Sequence, residues 1–129
     1  MTENTEDTDV QQDVEDLLID VLSTFFGYPV RRQGSLLENE PFPDNFFTFW
    51  NSSAENDSYF DDEETETIYE FDINFYSNNP ENVYKTLRQA DELLKNNGFE
   101  IYEKGHDVAS GNQSHIGRGI TVIYIQKER

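Results

Sequence analysis

Two histidines, His106 and His115, flank a segment rich in glycine, serine and asparagine, and Asp107 follows the first. Imidazole and carboxylate together can ligate a metal. A bound ion, however, needs three or four placed donors, and this turn-rich segment offers too few. Exposed histidines of no special role are the expectation. The run DDEETE at 61–66 offers carboxylates to calcium. It lacks the sixth-position glycine and the closing glutamate of an EF-hand loop, and reads as a solvated acidic loop. Glu70 and Asp72 share one face of an alternating stretch. Paired acid–base carboxylates need opposed environments, and both of these read as solvated.

Serine, histidine and aspartate all occur, but no Gly-x-Ser-x-Gly elbow does. No Gly-Lys-Ser/Thr is present, and the glycines of GNQSHIGRG have the wrong spacing for a dinucleotide fingerprint. The chain has no cysteine, which excludes disulfides and thiolate metal sites. No catalytic residue, metal or cofactor is expected. Trp50 is the only tryptophan. Such a ring belongs more often to a core than to an interface, although interface hot spots are enriched in it.

These side chains depend on elements that hydropathy patterning predicts. Tyr69, Phe71, Ile73 and Phe75 alternate with Glu70, Asp72 and Asn74, which makes 67–77 the clearest strand. After Pro80 the apolar spacing turns helical, through Val83, Leu87, Ala90 and Leu94. Asn79 suits the cap, Pro80 the first helical position and Glu81 the first turn, while Asn97-Gly98 closes the helix.

An earlier helix is predicted from Asp9, with the stripe Val10, Val14, Leu17, Leu18, Val21, Leu22 and Phe25. Gly27 and Pro29 end it. Asp13, Glu15 and Asp16 fall near its N-terminal end, where the helix dipole favours them. Residues 28–33 suit a short strand and 34–45 a loop. In strand 46–51, Phe47 and Phe49 share one face and Phe46, Thr48 and Trp50 the other. Residues 51–66 read as a long acidic mobile loop, 99–104 as a strand, 105–115 as a turn region and 116–127 as the last strand.

The expected fold is α+β: a small antiparallel or mixed sheet of four to five strands with two helices packed on one face. Residues 1–8 are expected to form a disordered acidic tail and 9–129 a single domain. The opening residues have neither the basic stretch nor the apolar run of a signal peptide, and no run is long enough to span a bilayer.

The formal charge is −18 on 129 residues, with a mean hydropathy of −0.80. Of the 27 acidic residues, 21 precede residue 85, whereas seven of the nine cations follow residue 84. The first part repels phosphate backbones and acidic membranes; the second is near neutral. The charge serves solubility alone, or it marks a protein whose two sides meet different partners.

The order of elements carries a resemblance. It runs from the amphipathic helix through PVRRQG, PFPDNFFTFWN and YEFDINFYSNNPENVYKTLRQADELLKNNGFEI to IGRGITVIYIQ. From about Asp9 onward the chain resembles the tail-terminator, or tail-completion, proteins of long non-contractile-tailed bacteriophages. The resemblance implies a structural virion protein that is made in the host cytoplasm. It would form a homo-oligomeric ring, commonly hexameric, which caps the major tail tube protein, stops its polymerisation and joins the head connector or stopper protein. DNA would pass through the lumen without specific binding.

On that reading Asp57, Asp61, Asp62, Glu63, Glu64 and Glu66 are candidates for a lumen-facing acidic loop. Phe46, Trp50, Lys85 and Arg88 are candidates for the interface between subunits. The alternatives are another phage neck protein, such as a head-closure or stopper protein, a general cytosolic binding module, or an acidic inhibitor whose carboxylates imitate DNA phosphates.

Overall fold

The computed structural model describes residues 3–33, 41–57 and 65–128, with the side chains of 12–33, 41–52, 54 and 66–126. The elements are α1 (Glu3–Phe26), β1 (Val30–Arg32), β2 (Asn45–Asp57), β3 (Thr65–Ser77), α2 (Pro80–Lys95), β4 (Glu100–Val108) and β5 (Ile116–Glu128). The strands form one sheet in the order β1-β2-β3-β5-β4. β1 runs parallel to β2, and every other pair is antiparallel. β3 and β4 both oppose β5, so they run parallel to each other, with α2 as their crossover and β5 between them. The fold is α+β, with a mixed five-stranded sheet and two helices.

Both helices pack on one sheet face. Phe47 and Phe49 of β2, Phe71, Ile73 and Phe75 of β3, and Ile120 and Val122 of β5 meet there. α1 contributes Val14, Leu18, Val21 and Leu22 to the same cluster, and α2 contributes Val83, Leu87, Ala90 and Leu94. A strand of period two and helices of period near 3.6 thus direct their apolar sets into one layer. α2 begins as its sequence dictates. The Asn79 side chain accepts from the Glu81 amide at 3.2 Å, and Pro80 needs no donor partner in the first turn. Gly98 then takes a positive φ of 93° just beyond the end.

Several expectations are corrected. α1 starts at Glu3, so residues 3–8 are helical rather than a disordered tail ahead of Asp9. Asp13, Glu15 and Asp16 therefore lie mid-helix, beyond the first turn where the helix dipole acts. Glu15 is buried and forms an ion pair with Arg32 of β1, a contact no helical pattern predicts.

Phe25 does not continue the core stripe, being 56% exposed. Its neighbour Phe26 turns inward instead and meets Phe47 at a ring distance of 5.4 Å. Of the segment 51–66, expected as a mobile loop, residues 51–57 belong to β2 and 65–66 to β3, and the rest lie outside the described residues. Backbone pairing, with one register shift between Asn51 and Ser53, carries the hairpin through these polar residues. β4 likewise continues through Gly105 to Val108, which shortens the predicted turn.

Candidate functional site

β2, β3, β5 and β4 turn a second face away from the helices. One end of it is sealed. Phe46, predicted as an interface residue, is 1% exposed there, and that assignment is corrected. Its ring stacks on Tyr76 with centroids 5.0 Å apart and lies edge-on to Phe42 at 5.2 Å. His115 closes this small second core. It is 8% exposed, not the solvent-facing histidine expected, because its Nε2 donates to the Pro43 carbonyl at 2.8 Å. Gly117 makes the room: a Cβ there would lie 2.6 Å from Cε1 of Tyr76 and 2.8 Å from Cγ2 of Val108.

The rest of that face is open. Trp50 is 51% exposed, yet its ring is fixed, since the indole N–H donates to Oδ2 of Asp72 at 2.7 Å. The other oxygen, Oδ1, accepts from the Thr121 hydroxyl at 2.9 Å. One carboxylate thus ties β2 to β5 across β3. Glu103 follows on β4 and faces Nδ1 of His106 at 2.7 Å. Glu70 accepts from the Ser52 hydroxyl at 3.0 Å, so neither Glu70 nor Asp72 is merely solvated.

Strand alternation puts Glu66 and Ile68 on the same face as Glu70, with Ile68 opposite Ile125 and Glu70 opposite Ile123. These isoleucines lie half-buried, and they stand apart from the main core cluster. The open face is therefore a half-covered apolar strip carrying one anchored tryptophan and interleaved with carboxylates. Arg31 of β1, opposite Thr48, is a cation at its margin.

A second surface lies on the far side of the molecule. The buried residues of α2 point at the sheet, so Lys85, Arg88 and Glu92 point into solvent opposite them. With Phe25 and Leu93 they line an open groove of about 500 Å³. Lys85 and Arg88 keep the exposed positions predicted for them. Of the predicted acidic group, Glu66 stands half-buried on the open sheet face. Asp57 ends β2, with its side chain outside the described residues, and Asp61, Asp62, Glu63 and Glu64 lie outside the described residues altogether.

No group of three or more histidine and carboxylate side chains among the described residues is arranged to hold a metal ion. Sequence reasoning missed the Asp72 clamp on Trp50. The signal it could have used was the shared face of Trp50 and the 70–74 carboxylates once the two strands were paired in register.

On the flank of α2, burial pushes the Asp91 carboxyl above its usual range, against the weaker opposing pull of Lys95 and Lys104. Its Oδ1 is buried and has no hydrogen-bond partner among the described residues. The folded state thus favours the protonated acid. Asp91 contributes stability below its ordinary value of about 3.9, and that contribution is lost as pH rises through its folded value. Asp91→Asn is expected to raise the melting temperature at pH 7 and to leave it unchanged at pH 3. A lower melting temperature at pH 7 would reverse this assignment.

No family model matches the chain, and no curated protein matches it. The fold and its two surfaces define a two-layer α+β protein with an anchored aromatic on its bare sheet face.

Proposed function

We propose that the protein is a structural ring-forming component of a bacteriophage tail, a tail terminator that caps the tail tube and meets the head connector. The observation that carries this reading is Trp50, an aromatic side chain half in solvent and yet held in one orientation by Asp72. A ring held in advance loses little freedom on binding, which is what an interface anchor needs. The resemblance in element order supports the same assignment, as does the acidic surface, past which DNA phosphates would slide without sticking.

The test is the mass of the purified assembly, alone and on tail tubes, together with images of it. Rings are expected. A strictly monomeric subunit in every virion-derived complex would overturn the reading.

One observation favours a second reading. Glu66, Glu70 and Asp72 stand along one face of β3, where alternate residues lie about 6.6 Å apart, a row of charges that could stand in for DNA phosphates. An inhibitor of that kind would bind a basic protein tightly as a monomer or dimer, and the same mass measurement separates the two.

A further inference from the structure

From the placement of the two surfaces we infer that they are each other's partners in successive copies. The open sheet face of one protomer receives the outer face of α2 of the next. This deepens the ring reading and rests on it.

Three observations lead there. First, the open face bears half-buried or exposed apolar side chains, Trp50, Ile68, Ile123 and Ile125, over which no element among the described residues packs, although a sheet normally buries an apolar face against another layer. Second, carboxylates predominate among its described charged side chains, chiefly Glu70, Asp72 and Glu103, with Arg31 at its β1 margin and Lys127 opposite Glu66 in the backbone register. The outer face of α2 offers the complement: two cations, Lys85 and Arg88, beside the exposed Phe25 and a groove in which Leu93 forms part of the floor. Glu92 is the acid among them, so register matters: Lys85 and Arg88, not Glu92, must face the carboxylates. Such complementarity sets orientation and register more than raw affinity.

Third, the two surfaces lie on opposite sides of a two-layer molecule. A surface that meets a different surface on its neighbour makes a head-to-tail contact, which gives a ring where the rotation between copies closes and an open filament where it does not. In such a stack each bare sheet is covered by the next protomer's helix, as each protomer already covers its own inner sheet face. Glu103 stands on the edge strand β4, where a cation that meets it stays in solvent, so the contact weakens as salt rises.

The test uses the full chain and two variants, each blocked on one surface. Trp50→Ala/Glu103→Lys alters the sheet face, and Lys85→Glu/Arg88→Glu alters the helix face. Circular dichroism melts establish that both fold; if either does not, Glu103→Lys and Arg88→Glu alone take their places. Mass is then followed against concentration by analytical ultracentrifugation. The native chain is expected to grow with concentration, and each variant to need roughly tenfold or more protein to associate.

Mixed in equal amounts, the two variants are expected to form a heterodimer that grows no further, because each still carries one good surface. A two-fold contact between identical patches could not give that result. Variants that remain monomeric on mixing, or that assemble alone as the native chain does, overturn this docking while leaving the ring reading standing. A native chain that never associates, alone or on tail tubes, overturns both.

Discussion

Replacing Leu87 by alanine is expected to destabilise the fold by about 2–5 kcal/mol, the usual cost of truncating a buried leucine. Leu87 is 5% exposed and packs in the cluster that joins α2 to the sheet. Arg88, 100° further round the helix, is turned out to solvent. Arg88→Glu is therefore expected to melt within about 0.5 kcal/mol of the native chain, as surface changes usually do. Its effect should appear in complementation of tail assembly, where the helix face would meet the next protomer. An early melt for Arg88→Glu, or full complementation with a harmless Leu87→Ala, would mean that the faces of α2 are exchanged.

Gly117→Ala is the second large effect expected. A methyl group there enters the space of the Tyr76 ring, which is itself stacked on Phe46 beneath Phe42 and His115. Neither neighbour yields readily: one is the edge of a packed ring, and the other is a branched methyl on β4. Overpacking of this kind costs about 1–3 kcal/mol. Gly119→Ala is the control on the same strand, because the nearest atoms there belong to the Asn74 and His106 side chains, whose ends can swing aside. A thermal melt of Gly117→Ala that matches that of Gly119→Ala would show that the sealed end of the open face is loosely packed.

The difference between these glycines and Leu87 explains what the sequence made legible. The helical spacing of Val83, Leu87, Ala90 and Leu94 and the alternation of Tyr69 to Phe75 each express one element's own geometry, and both core faces were readable from them. Phe46 and Trp50 share a strand face, and nothing local distinguishes them. One is sealed by Phe42, four residues before it, and by His115, from a distant turn, and the other is left bare. His115 was misread for the same reason, since its partner Pro43 is 72 residues away.

Trp50, Lys85 and Arg88 were singled out from sequence as residue types, and the structure places them at exposed positions. The candidate site was not legible as an arrangement. The Asp72 clamp needs β2 and β5 brought to either side of β3, and that strand order is a tertiary fact. Polar composition also misled at residues 51–57, where ladder hydrogen bonds extend a strand that side-chain preference alone would end.

The position of β5 has a consequence for how the protein is made. It is the last strand in chain order and yet lies between β3 and β4. On a translating ribosome, β3, α2 and β4 emerge first and leave a slot in the sheet that only residues 116–128 can fill. Until then the facing backbone groups of two strands have no protein partner, and the nascent chain carries two unpaired edges. Folding therefore waits on synthesis of β5, and a chain halted before residue 116 would expose strand edges able to pair with those of another such chain.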